Sequence, residues 1–182
     1  MLLQENVTIH NGIMQKRKKN RLEQFDYSTC GAYFLTVCTV KRRNYFWEDV
    51  ALTSGEAGAL APINDHKRIV LSNYGKILER AILRIPEIYP AVVLEDYVIM
   101  PDHVHLLLMI RCDENGRPMV APTMSRVIQQ MKGIVTKEIG CSIWQKLFYD
   151  HVIRNTQDYE EHVKYIQENP IYWHIDNPHK PM

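Results

Sequence analysis

His103-Val104-His105 places two imidazoles one residue apart, inside the segment Tyr97-Val98-Ile99-Met100-Pro101-Asp102-His103-Val104-His105-Leu106-Leu107-Leu108. Successive strand residues point to opposite faces, so in an extended segment both histidines share one face. Imidazole is the commonest side-chain metal ligand, which makes the pair a candidate metal site. The spacing alone also fits cupin-like metal sites, phosphoesterase centres and satisfied structural networks. Its surroundings argue for a strand. Ala91 to Met100 is rich in Val, Ile, Leu and Tyr, Pro101-Asp102 is turn chemistry, and Val104 to Ile110 is dominated by apolar residues. The histidines should therefore open a central strand just beyond a hairpin turn.

A second group of residues lies near the C-terminal end. Tyr165 and Asn169 are four apart and share a face if the segment is helical, while Val163 and Ile166 face the sheet. A phenol beside an amide and two imidazoles suggests phosphoryl chemistry: the phenol oxygen attacks phosphorus while a cation polarises the phosphoryl oxygen. The product is a covalent phosphotyrosine. An unperturbed tyrosine titrates near pH ~10, so such a nucleophile needs an adjacent base or metal. His162, three residues before Tyr165, could assist, although a helical histidine is more often a surface residue. Tyr165 is one of ten tyrosines, and from spacing alone a half-buried ring with its hydroxyl in water is the ordinary fate.

These residues need elements to position them. Residues 1–28 read as a basic N-terminal arm, followed by a single domain over 29–182. Ala32 to Val40 predicts the first core strand. Residues 48–72, with Ser54-Gly55, Gly58 and Ala61-Pro62 followed by Arg68-Ile69-Val70-Leu71, read as a hairpin or loop excursion. Ser72-Asn73 can cap a helix that presents Ile77, Leu78, Ala81, Ile82 and Ile85 on one face before Pro86 and Pro90. The hairpin carrying the histidines follows. After a loop from Cys112 to Pro122, a helix from Thr123 places Val127, Ile128, Met131, Ile134 and Val135 in register and ends near Gly140. Leu147 to Arg154 predicts a fourth strand. The last helix starts near Asn155-Thr156 and is expected to stop at Asn169-Pro170, because the residue before proline disfavours the helical region. The order β-α-β-β-α-β-α is that of an α+β, ferredoxin-like or RRM-like antiparallel sheet with an added C-terminal helix that carries the tyrosine.

Composition narrows the class. The chain has 182 residues, 46% of them hydrophobic, which suits one globular domain with a real core. No apolar run approaches the roughly 18 residues of a membrane span, and the N-terminus lacks a signal-peptide core, so a cytoplasmic location is expected. Cys30, Cys38, Cys112 and Cys141 show no metal-ligand spacing and read as reduced and mostly structural. The net charge of +1 excludes a polyanion-coating protein but leaves room for a local basic groove. Lys16-Arg17-Lys18-Lys19 with Arg21, and Lys41-Arg42-Arg43 at the end of the first strand, are the clusters that could form one.

Several blocks together closely resemble the REP-associated tyrosine transposases, within the single-tyrosine HUH nucleases related to the IS200-like transposases. They are Ala32-Tyr33-Phe34-Leu35-Thr36-Val37-Cys38-Thr39, the histidine segment, Phe148-Tyr149-Asp150-His151-Val152-Ile153-Arg154, and Tyr165-Ile166-Gln167-Glu168-Asn169-Pro170. The resemblance spans roughly Arg17 to Trp173, with the blocks in the family order. It implies that His103 and His105 are the HUH metal ligands, that Tyr165 is the catalytic nucleophile, and that Asn169 matches the polar third ligand. It implies Mg²⁺ or Mn²⁺ as the cation, whereas imidazoles alone suggest a softer metal such as zinc. It further implies a partner: single-stranded DNA folded into imperfect hairpins, cut and rejoined without ATP because the phosphotyrosine keeps the bond energy. The REP-associated branch looks monomeric, so a monomer with Tyr165 acting in cis is favoured over a swapped dimer. Two departures stand out. The 48–72 excursion is longer than the family's short connection, and position 102 is Asp where related motifs often carry Asn.

A hairpin stem would be gripped through phosphates and its unpaired bases read by stacking and edge contacts. Lys16, Arg17, Lys18, Lys19, Arg21, Arg42 and Arg43 are candidate DNA-binding residues, with His151 and Arg154 placed to approach the scissile phosphate. Lys132 and Lys137 are weaker candidates. Two other readings fit the residues: a domesticated nucleic-acid-binding module that no longer cuts, and a metal-dependent hydrolase in which the histidines activate water and Tyr165 is structural.

Overall fold

The computed structural model describes residues 9–10, 13–14, 29–48, 70–114 and 123–176. Four strands form one antiparallel sheet: β1 (Gly31–Cys38), β2 (Val92–Met100), β3 (His103–Ile110) and β4 (Tyr149–Val152). Their spatial order is β2-β3-β1-β4, so β3 and β1 are central. Three longer helices accompany them, α1 (Asn73–Leu83), α2 (Met124–Ile139) and α3 (Thr156–Asp176), with a single helical turn at Ile85–Ile88 after α1. Helix α1 lies between β1 and β2, α2 lies between β3 and β4, and α3 follows the last strand. The expected α+β, ferredoxin-like arrangement with an added helix is what the chain adopts.

Helix boundaries follow capping chemistry. The Ser72 hydroxyl accepts from the Gly75 backbone N–H at 3.1 Å, opening α1. Gly75 is required for another reason as well: a Cβ there would stand 2.3 Å from the Phe46 carbonyl oxygen, so only glycine lets α1 pack against that loop. Thr123 caps α2 by accepting from the Arg126 N–H, and Gly140 closes it at φ 87°. Asn155 Oδ1 accepts from the Asp158 N–H at 2.9 Å and opens α3.

The main core lies between α1, α2 and one face of the sheet. Tyr33, Leu35 and Val37 of β1 meet Val104, Leu106 and Leu108 of β3, and Leu78, Ile82, Val127, Ile128, Met131 and Val135 of the helices cover them. Each of these is almost fully excluded from water, so each stabilises the fold by about 1.5–3 kcal/mol. On the opposite face a smaller cluster of Phe34, Leu107 and Ile166 seats α3, with Val163 packed beside it. Val163 and Ile166 thus do face the sheet.

Three expectations need correction. Helix α3 does not stop at Asn169-Pro170 but continues through Pro170 to Asp176. Proline removes one backbone hydrogen bond, yet Trp173 beyond it packs on the main core and on the His103 ring, and such tertiary packing decides helix extent. The fourth strand is shorter than Leu147 to Arg154. Cys30 and Cys112 are joined in a disulfide, with Cα atoms 5.6 Å apart, because the paired ends of β1 and β3 bring them together; Cys38 and Cys141 are free. The base of the 48–72 excursion is antiparallel, Trp47 bridging Leu71 and the Glu48 N–H donating to the Val70 carbonyl at 2.9 Å. Its tip, and most of the 1–28 arm, lie outside the described residues. Within that arm Ile9–His10 pairs with Ile13–Met14. Among the described residues no helix is long and apolar enough to cross a membrane.

Candidate active site

The β1–β3 register sets the site. Thr36 lies opposite His105 and Cys38 opposite His103, and directly opposed residues of an antiparallel pair share a face. Both imidazoles therefore emerge on the α3 side, 5% and 4% exposed. Their Nε2 atoms face each other at 3.0 Å. The other ring nitrogens are occupied: His103 Nδ1 bonds Asp102 Oδ1 at 2.5 Å, and His105 Nδ1 bonds Thr36 Oγ1 at 2.9 Å. Fixing Nδ1 with an oxygen partner is how a protein orients an imidazole for ligation through Nε2.

Asp102 is itself held. Its second carboxylate oxygen is 3.1 Å from Arg42 Nε, and Asp102 is 1% exposed. Arg42 reaches it from a tight turn after β1 in which Lys41 and Arg42 both take positive φ, 54° and 53°. Non-glycine residues rarely adopt this conformation, so the turn is over-determined by its contacts. Those contacts include Arg42 Nη1 donating to Cys38 Sγ at 2.9 Å, and Thr39 Oγ1 donating to the Arg43 and Asp102 carbonyls at 2.8 and 3.0 Å. Burial holds His103 below its ordinary range, despite the Asp102 hydrogen bond pulling the other way. Burial, with the neighbouring His103 and Arg42, pushes His105 down to about 3. Both rings are thus neutral at pH ~7, the form that ligates metal.

Helix α3 lies across this pair. The Tyr165 ring meets His105 edge-on at 5.2 Å between centroids and Phe34 at 5.8 Å, and Tyr165 is 50% exposed. Two turns later the Trp173 ring lies 5.8 Å from His103. Asn169 sits on the same helical stripe midway between these two contacts. Its Nδ2 is buried and has no hydrogen-bond partner. A buried amide nitrogen without a hydrogen-bond partner, on the helical stripe whose Tyr165 and Trp173 touch the two imidazoles, makes Asn169 a candidate third donor, since a half-turn of the amide exchanges nitrogen for oxygen. The 3.0 Å between the imidazole nitrogens also matches the edge of an octahedron with bonds of about 2.1 Å. The residues present fit a small divalent cation.

The other expected residues divide into four groups. Arg42 is linked to His103 through Asp102, and Arg43 is exposed beside it. His151, opposite Phe34 on β4, bonds Asp158 at 2.9 Å through Nε2, and the Arg154 N–H donates to the same carboxylate at 3.0 Å. Lys16, Arg17, Lys18, Lys19 and Arg21 lie outside the described residues. Lys132 is committed elsewhere, donating to the Gln145 carbonyl at 2.9 Å. Sequence reasoning missed Thr36 and Trp173. The first could only be found from the strand register, and the second was hidden by ending the helix at the proline.

Known proteins resemble this chain at three levels. No protein-family model matches it. An uncharacterised protein of Haemophilus influenzae is 25% identical over 189 residues, covering 93% of this chain and 96% of that protein. A REP-associated tyrosine transposase of Escherichia coli K12 is 29% identical over 109 residues, covering 59% of this chain and 61% of that protein. A solved structure of a REP-associated tyrosine transposase, bound to a REP hairpin, superposes with a TM-score of 0.57 at 24% identity, covering 84% of this chain and 73% of that one. The structural likeness speaks for the fold. In sequence and in fold, the chain is similar to the REP-associated tyrosine transposases.

Proposed function

We propose that the chain is a transposase-like enzyme that cuts and rejoins single-stranded DNA beside hairpin-forming repeats, with Tyr165 as nucleophile. The observation that carries this reading is the packing of a half-exposed Tyr165 against His105, whose Nε2 faces that of His103 at 3.0 Å. In the forward step the Tyr165 oxygen forms a bond to phosphorus, the bond from phosphorus to the 3′ oxygen breaks, and the 3′ hydroxyl leaves with a proton. The DNA 5′ phosphate stays on Tyr165. In the return step a 3′ hydroxyl attacks that phosphorus and frees the phenol, so no bond energy is lost and no ATP is needed.

His103, His105 and Asn169 would hold a divalent cation, Mg²⁺ or Mn²⁺. When bound it supplies charge stabilisation at the phosphoryl oxygens. The protein supplies the rest. Asp102 and Thr36 fix the imidazole orientations, Phe34 and His105 hold the tyrosine ring, and Ile166 and Trp173 seat the helix that carries it. Arg43, and Arg42 with the part of its charge that Asp102 leaves free, would meet phosphates on the His103 side. His151 and Arg154 would do so on the other. The basic run from Lys16 to Arg21 would add non-specific grip. The packing of Tyr165 on His105 of its own chain supports a tyrosine acting in cis, with a monomer as the working unit.

The test is incubation of the wild-type protein with a labelled single-stranded hairpin DNA and Mn²⁺, followed by denaturing electrophoresis. A covalent protein–DNA band is expected, and it should vanish in Tyr165→Phe and on chelation. Cleavage that survives Tyr165→Phe would transfer the chemistry to a water nucleophile. Binding without cleavage would favour a DNA-holding module.

A further inference from the structure

We propose that His151, Asp158 and His162 form a second divalent-metal site, of the zinc class, that clasps the start of α3 to the edge strand β4. One nitrogen from each imidazole and a carboxylate oxygen lie within 4.8 Å of one another. They come from two elements, His151 from β4 and the other two from the first turns of α3. Two imidazoles and a carboxylate, with room left for water, form the donor set of many zinc sites and are poor company for Ca²⁺ or Mg²⁺.

The arms of this site are already in place. His151 and His162 stack with centroids 4.7 Å apart and planes 15° apart. His151 Nε2 is 2.9 Å from both Asp158 oxygens, and His162 Nδ1 is 3.2 Å from Oδ1. The carboxylate is oriented independently of the histidines, since it accepts the Arg154 N–H while the Asp158 N–H is bound by Asn155. A preoriented ligand loses little freedom on binding an ion. His162 Nδ1 also bonds the Asp158 carbonyl at 2.7 Å, so binding exchanges that contact for the metal and moves the ring proton to Nε2.

The position gives the site a consequence. His162 packs against Phe34 at 4.5 Å, and Phe34 in turn touches His105 at 5.1 Å and Tyr165 at 5.8 Å. Phe34 therefore separates the two clusters while lying against both. An ion on the second cluster would hold the helix one turn ahead of Tyr165.

Co²⁺ is the probe, because its visible absorption counts ions with imidazole ligands. Wild type and His151→Gln/His162→Gln are titrated side by side, and the variant should take up one fewer Co²⁺ per chain. The difference is independent of the His103/His105 pair: if that pair holds an ion the counts are two and one, and if it does not they are one and zero. Equal counts overturn the proposal. Circular dichroism checks that the variant is folded. If it is not, His151→Gln alone, on an exposed edge position, must still weaken Co²⁺ binding by more than the about tenfold that loss of an outer-shell partner costs. Unchanged affinity there also overturns it. Zn²⁺ should further slow amide exchange in the first two turns of α3 in wild type but not in His151→Gln.

Discussion

The two faces of the central sheet are built from alternate residues of the same strands, yet they differ in kind. In β1, Tyr33, Leu35 and Val37 enter a continuous apolar core, while Phe34, Thr36 and Cys38 face α3; in β3, Val104, Leu106 and Leu108 alternate with His103, His105 and Leu107. One face is covered by two helices and is dominated by apolar side chains. The other is covered by a single helix over a small hydrophobic seat and carries Thr36, His103 and His105, which bond to one another and to Asp102. The division teaches that stability and chemistry are separable here by residue parity: one position along the strand changes which property a substitution touches.

The comparison can be tested by substitutions on each face. The largest effect is expected from Tyr165→Phe, which should abolish the covalent DNA adduct while altering stability by less than about 0.5 kcal/mol, as surface changes usually do; electrophoresis and a urea melt read the two quantities. Leu106→Ala, next to His105 in sequence but on the other face, should cost about 2–5 kcal/mol in the same melt. A Leu106→Ala chain as stable as wild type would break the division. Asp102→Ala should weaken Mn²⁺ binding about 10- to 100-fold, by freeing the His103 ring, and Asp102→Asn should restore most of it; calorimetric titration measures both. Ser72→Ala, which removes the cap of α1 and the hydroxyl's bond to the Tyr45 carbonyl, should cost about 1–2 kcal/mol and leave metal binding unchanged.

Acid should expose the polar face separately. His105 is held down to about 3 from an ordinary 6.5, first by burial, so below pH 6.5 the unfolded chain takes up a proton that the folded chain refuses. Stability then falls as pH drops from 6.5 towards 3 and is regained as pH rises, since the unfolded state binds more protons in that window. Urea melts in the presence of a chelator should show this slope, and His105→Gln should flatten it.

Much of this was legible in the residues, for identifiable reasons. The alternation around His103 and His105, the Pro101-Asp102 turn, and the Ser72, Thr123 and Asn155 caps are local signals, and each element they announce is present. Tyr165 and Asn169 could be placed on one helical stripe by periodicity. What periodicity could not supply was partnership across the chain. Thr36 becomes a partner of His105 only through strand register, Arg42 reaches Asp102 only because two residues adopt positive φ, and the Cys30–Cys112 link depends on which strand ends meet. The proline error had the opposite origin. A sound local rule at Asn169-Pro170 was outweighed by the distant contact of Trp173 with His103.

The register that sets Thr36 against His105 and Cys38 against His103 also shapes how this protein could decay in a lineage. A single-codon insertion or deletion within β3 would turn the histidines into the core and the leucines into water, so catalysis and folding would fail in one event. Loss of activity with the fold retained can therefore arrive only by substitution, at positions such as Tyr165 or the histidines. A descendant kept solely for holding nucleic acid should preserve strand length and register and show its history in those few side chains.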